Sequence, residues 1–129
     1  MRLITAKQIK QRTVPHPYDT NPGYEARLHS FHFSEDEKLV AGYWEAPKGW
    51  FLADIGTQTE VNFVIQGKIQ LVIGDESITA CRGDCFVVEP GDRLKWIVRK
   101  PIRTIFFIYP SNADLTRFFK DLEKPSSAR

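Results

Sequence analysis

The sequence predicts an all-β domain, a closed barrel or sandwich, ending in one short α-helix. Three observations carry this expectation. After residue 25 the chain is a series of short runs rich in β-branched and aromatic residues, at nearly even spacing. The runs are separated by turn signals at Ser34-Glu35-Asp36, Pro47-Lys48-Gly49, Gly67-Lys68, Gly74-Asp75, Arg82-Gly83-Asp84 and Pro90-Gly91-Asp92. Only the last segment places apolar residues at helical spacing, with Leu115, Phe118, Phe119 and Leu122 on one face. Strands this short and regular favour an architecture that closes on itself, because closure leaves no long edge free to pair with another chain.

Taken in order, residues 1–12 never sustain the apolar run of a signal peptide. Residues 14–24, rich in Pro, Asn and Gly, read as an irregular surface segment. Strands are expected over 26–34, 38–45, 49–54, 60–66, 68–73, 76–81, 85–88, 93–98 and 103–109. Ser111-Asn112-Ala113-Asp114 then opens a helix with a capping-box-like signal. Its apolar stripe is expected to pack on the outside of the barrel, leaving Pro125-Ser126-Ser127-Ala128-Arg129 as a frayed tail. The chain is thus read as one domain over 1–129: an N-terminal segment and strand (1–35), a barrel core (36–110) and a C-terminal helix (111–124). That length encloses a single core.

With 42% hydrophobic and 26% charged residues, the composition is that of an ordinary water-soluble domain. A net charge of +2 argues against nucleic acid as a partner; the densest basic stretch, Arg99-Lys100 with Arg103, reads as solvated surface. No run approaches the roughly 18 apolar residues of a membrane span, so no membrane partner is expected and the cytoplasm is the default. Cys81 and Cys85 bracket a turn without CxxC spacing, which fits a reducing compartment, and they read as small, partly buried apolar residues.

The most informative stretch is Glu60-Val61-Asn62-Phe63-Val64-Ile65-Gln66-Gly67, followed by Gly83-Asp84 and Glu89-Pro90-Gly91. Its halves, Glu60-x6-Gly67 and Gly83-x5-Glu89-Pro90-Gly91, resemble the two motifs of the cupin superfamily. The resemblance implies a single double-stranded β-helix, or jelly-roll, barrel. In that family two histidines, the glutamate and a later histidine hold a divalent metal. In this chain no residue from 50 to 59 is a histidine, and Leu94 stands where the later one would fall. Zn²⁺ takes about four ligands and harder cations about six oxygens, so Glu60, even with Asp54 beside it, is a poor donor set. No metal and no cofactor are expected. Ala41-Gly42-Tyr43-Trp44-Glu45, Gly83-Asp84, Pro90-Gly91 and Trp96 narrow the resemblance to the short cupins related to ethanolamine-utilisation and ureidoglycine-aminohydrolase-like proteins, over about residues 40–108. That group tends to carry a Glu and a Lys on its last strand; the matching region reads Arg99-Lys100-Pro101-Ile102-Arg103, so any role of those residues does not carry over. Cupins commonly pair through their sheets. Phe31 and Phe33, read as outward apolar residues, give the same expectation of a homodimer.

Strand alternation says which side chains meet a ligand. If Glu60 faces inward, so do Asn62 and Val64, while Val61, Phe63 and Ile65 face out; if Leu94 is inward, so are Trp96 and Val98. The expected ligand-binding set is Glu60, Asn62, Asp54, Leu94 and Trp96, with Glu60 the candidate catalytic group and a small molecule the expected partner. Two plainer readings stand beside it: Glu60 as a structural ion-pair partner, and Trp96 as a plug filling a small barrel. His29 and His32, three apart on a strand, fall on opposite faces and cannot share a metal; His16, between two prolines, reads as a loop residue. All three read as structural or solvent-exposed. No histidine can be argued next to a nucleophile, and the glycines read as turn residues rather than a phosphate loop. The functional readings are a metal-independent module holding a small metabolite around Glu60, a metal-free isomerase, lyase or hydrolase using Glu60 as general acid or base, and a structural subunit with a filled barrel.

Overall fold

The computed structural model describes residues 1–125, which form, in order, α1 (Ala6–Arg12), β1 (Val14–Pro17), β2 (Glu25–Phe33), β3 (Val40–Ala46), β4 (Gly49–Asp54), β5 (Thr59–Ile73), β6 (Glu76–Cys81), β7 (Cys85–Val88), β8 (Arg93–Tyr109) and α2 (Ala113–Leu122). The two long strands, β5 and β8, pair antiparallel along most of their length and belong to two sheets at once. One sheet runs β1-β2-β3, then the C-terminal half of β8, the N-terminal half of β5, and β7. The other runs β4, the N-terminal half of β8, the C-terminal half of β5, and β6. Their apolar faces share one core, with Val64, Ile69, Leu71, Val98, Ile102 and Ile108 nearly or fully buried. This is the expected jelly-roll barrel.

The expected breaks at Gly67-Lys68 and before residue 103 are bends rather than turns. The chain stays in strand through both, and the β5–β8 register slips between Val64 and Ile69. Gly67 sits at φ +96°, and a Cβ there would run into the Pro101 carbonyl, so the crossing of the two strands accepts only glycine. Pro101 lies opposite this bulge, outside every paired register, so its missing N–H removes no ladder bond.

The N-terminal region is more ordered than its composition suggests. Residues 14–17 pair with β2, and Pro15 and Pro17 are tolerated because β1 is an edge strand. α1 went unread because none of its residues is buried and no apolar stripe marks it; its signal is the capping box of Thr5 and Gln8, in which Gln8 N donates to Thr5 Oγ1 (3.1 Å) and Thr5 N to Gln8 Oε1 (2.9 Å). In β2 a bulge between Ser30 and His32 breaks alternation, which buries His29 and Ser30 together and leaves His32 exposed.

Three further expectations are corrected. α2 does not lie on the outside of the barrel: Phe119 is buried and stacks on Phe106 (5.8 Å between ring centres), so the helix covers the open end between the sheets. Its N-cap is Asn112, whose Oδ1 accepts from Leu115 N (2.8 Å), while Ser111 turns inward to bond Thr116 Oγ1 (2.8 Å). Cys81 and Cys85 are exposed, because the inward positions beside them belong to Ala80 and Phe86. Phe31 and Phe33 are half-buried, and Phe33 packs against the core beneath Lys120. The exposed large apolar residues include Val87, Phe63, Phe107 and Tyr109, on the outer face of β7, β5 and β8. The frayed tail expected for 126–129 lies outside the described residues. No helix among the described residues is long and apolar enough to cross a membrane.

Candidate functional site

A cavity of about 270 Å³ lies between the two sheets beneath α2. It forms because the inward positions of β5 turn polar at its N-terminal end. Val64 is buried in the core, Asn62 is buried at the cavity wall, and Glu60 and then Gln58, just before the strand, also line the cavity. Asn62 Oδ1 accepts from the fully buried Thr104 Oγ1 (2.9 Å), which orients the side chain and leaves its amide hydrogens for a ligand. Burial pushes the Glu60 carboxyl up to about 7 from its ordinary 4.5, only partly offset by a hydrogen bond with the Gln58 side chain. Among the described residues no ion pair includes Glu60.

The walls are aromatic. His16, Tyr18, Phe51 and Trp96 form a continuous stack, with successive ring centres 4.4, 3.9 and 5.4 Å apart. Trp96 Nε1 donates to the Ala53 carbonyl (3.1 Å), and Trp44 Nε1 to Tyr18 Oη (3.1 Å), so both indole N–H groups are satisfied within the wall. Trp96 therefore lines the cavity without filling it. Phe106 and Ile108 of β8 close the floor, and Leu115, Phe118 and Phe119 of α2 the roof.

Of the five residues expected at a ligand site, Glu60, Asn62, Trp96 and Asp54 line this cavity. Asp54 is an exposed rim residue facing Arg93 (3.5 Å). Leu94 is buried but stands apart from the cavity, next to a separate surface depression with Thr20, Leu52 and Lys95. His16, expected in a loop as a structural or exposed residue, and Tyr18, within the segment expected to be irregular, also line the cavity. The signal was there as alternation, since Pro15 and Pro17 point outward and His16 and Tyr18 inward. Burial holds the His16 imidazole down at about 4, so it is neutral near pH 7, and raises the Tyr18 phenol above its ordinary range. His16 Nδ1 is buried without a hydrogen-bond partner. His29 is outside the cavity and meets Glu123 through Nδ1, and His32 faces Arg2 (3.1 Å).

The divalent metal held by cupin histidines does not fit this donor set. Around Glu60 the cavity lining offers two amides, Gln58 and Asn62, one imidazole, His16, the Tyr18 phenol, the rim carboxylate Asp54 and apolar rings. Among the described residues no three His, Cys, Asp or Glu are placed to share an ion.

A two-sheet jelly roll with Glu60 on the first motif strand and Pro90-Gly91 at the turn into the last strand defines a cupin. The chain belongs to the EutQ-like cupin domain family, which matches residues 33–106. Solved structures with the same fold include the EutQ protein of Clostridium difficile (TM-score 0.65, 22% identity, covering 80% of this chain and 79% of that one) and the putative ethanolamine utilization protein Q of Salmonella typhimurium (0.67, 17%, 76% and 80%). A predicted oxalate decarboxylase of Thermotoga maritima is also similar (0.66, 13%, 85% and 100%). At these identities the likeness is one of fold. No curated protein sequence matches the chain.

Proposed function

We propose that this protein is a metal-independent binding module that holds a small metabolite in the barrel cavity around Glu60. The observation that carries this reading is a largely enclosed carboxylate with no salt-bridge partner among the described residues, set in an aromatic-walled cavity that the barrel's own side chains leave open. A few polar groups in apolar walls are the usual make-up of a small-molecule site, and about 270 Å³ falls just below the roughly 300–1,000 Å³ typical of pockets for drug-sized ligands, which points to a small one. Asn62 and Gln58 would orient the ligand. The test is a thermal-shift screen of a metabolite library on the native protein and on Glu60→Gln, since a ligand that binds only the folded state raises its melting temperature. Hits lost in the variant support the reading; hits unaffected by it move the site elsewhere.

A second reading has its own support. A carboxyl raised to about 7 suits a general acid or base, and neutral His16 on the same cavity is a second proton-transfer group. In this reading the protein is a metal-free isomerase, lyase or hydrolase. Incubating each screening hit with the protein and following it by NMR separates the two, because turnover favours the enzyme and unchanged ligand the binding module.

We also propose a cytoplasmic homodimer. Two exposed thiols suit a reducing compartment. The outward Phe63, Val87, Phe107 and Tyr109 form the apolar face through which two copies would pair. Light scattering that gives a monomer at micromolar concentration, or a Phe63→Glu variant that leaves a dimer intact, overturns this assignment.

A further inference from the structure

We infer that the ligand of the Glu60 cavity carries a protonated amine, which supplies the counter-charge that the protein withholds from Glu60. The inference rests on the reading of the cavity as a binding site and names the class of molecule it takes.

Among the residues lining the cavity the titratable groups are His16, Tyr18, Asp54 and Glu60; no Lys or Arg is among them. Arg93, which is not part of the lining, faces the rim residue Asp54 with its side chain 85% exposed, turned to solvent. His16 is held neutral by burial, so it brings no positive charge. Among the described residues, every formal charge that lines the cavity is therefore negative. An anionic ligand, such as a carboxylate or phosphate, would meet repulsion and find no cation among the described lining residues.

The walls sharpen the preference. A low-dielectric surround strengthens the attraction between a carboxylate and a cation several-fold over water. Phe51 and Tyr18 have both ring faces covered by their neighbours in the His16–Tyr18–Phe51–Trp96 stack, so the stack contributes apolar bulk more than open π-faces. Selectivity for charge thus falls on Glu60. A buried carboxylate without a partner is costly to keep ionised, and an ammonium group removes that cost by pairing with it. Asn62 stands one inward position further along β5, where its amide would meet a polar group on the ligand's remainder.

The pairing makes binding depend on pH in a defined direction. An ammonium ligand requires ionised Glu60, so its affinity falls as Glu60 takes up a proton below about pH 7. A neutral ligand that accepts a hydrogen bond from the protonated acid would show the opposite trend.

Three probes of matched size separate the outcomes: benzylamine, benzyl alcohol and benzoate, titrated into the full chain while the Trp44 and Trp96 indole N–H resonances are followed by NMR. Benzylamine is expected to bind about tenfold tighter than benzyl alcohol, with benzoate not binding. Its affinity is expected to fall by about tenfold per unit of pH below 7. Glu60→Gln, checked for native structure by circular dichroism, should bind benzylamine and benzyl alcohol alike. If benzyl alcohol or benzoate binds as well as benzylamine, the cavity is a binding site but the inference of a cation fails. If none of the three perturbs either indole, the inference and the reading of the cavity fall together.

Discussion

Glu123, one residue past α2, accepts a hydrogen bond from the backbone amide of Ser30 (3.1 Å) while its other carboxylate oxygen meets His29 Nδ1. This one side chain ties the helix that roofs the cavity to the middle of β2, 93 residues earlier. Glu123→Ala leaves a buried imidazole nitrogen and a backbone N–H without their acceptor, at a cost of about 1–3 kcal/mol. Urea unfolding measures that loss, and hydrogen exchange should show α2 amides opening before those of β5. Unchanged protection of α2 would mean that Phe119 and the bonds of Thr116 and Lys120 to Glu37 hold the roof without it.

Gly42 makes the opposite kind of contact. A Cβ at this position would lie 2.5 Å from both the His29 carbonyl and the Phe106 ring, and neither is free to move, being strand backbone and a buried ring stacked on Phe119. Gly42→Ala is expected to destabilise by about 1–3 kcal/mol through overpacking. Because Phe106 lines the cavity, ligand affinity should fall with it. A variant as stable as the native protein would show that the Phe106 ring has room to retreat.

The Glu60 carboxyl holds its proton in the folded state up to about pH 7, whereas the unfolded chain releases it near 4.5. The folded state therefore binds more protons in between, and its stability falls as pH rises from 4.5 to 7, staying low above that. Glu60→Gln has no charge to bury, so it should match the native protein below pH 4.5 and exceed it above pH 7 by about 1–3 kcal/mol. Thermal melts across that range check the sign. Strong destabilisation at every pH would make Glu60 a structural partner and end its role as the centre of a ligand site.

His16 contributes with the other sign. It stays neutral in the fold down to about pH 4, while the unfolded chain protonates near 6.5, so stability is lost as pH falls from 6.5 to 4. Between 4.5 and 6.5 the Glu60 and His16 contributions oppose each other and flatten the native profile. His16→Phe removes the acid-side loss and should gain on the native protein by about 1–2 kcal/mol at pH 4. A variant that loses stability on acidification as steeply as the native chain would show His16 to be solvated.

Metal content offers a test independent of folding energetics. Because no three His, Cys, Asp or Glu among the described residues are placed to share an ion, His16, Asp54 and Glu60 of the cavity lining included, elemental analysis should find less than one Fe, Mn, Ni or Zn per chain, and a chelator should leave the melting temperature unchanged. One tightly held ion per chain, lost on Glu60→Gln, would reverse the assignment.

The barrel was legible in the sequence because its signals are local. Turn residues bounded β4, β6 and β7 at the residues where the structure bounds them, and period-two alternation oriented Glu60, Asn62, Trp96 and Val98 correctly. Those features depend only on backbone chemistry and on which face meets water. What remained hidden depends on partners distant in the chain. Gly67 reads as a turn until Pro101 of β8 is laid across it, and Pro15 and Pro17 read as strand breakers until β1 is found at an edge. Cys81 and Cys85 are small enough for either face, and only the neighbouring Ala80 and Phe86 decide that they point out. The site divides along the same line. The sequence by itself determined that Glu60 would face the interior with the family's motif histidines missing from residues 50–59 and from position 94. Tertiary structure alone decided that His16 and Tyr18 complete the wall, that α2 forms the roof rather than an outer buttress, and that Leu94 stands apart. The reason is that a cavity belongs to surfaces brought together from both ends of the chain, and no local pattern records which surfaces will meet.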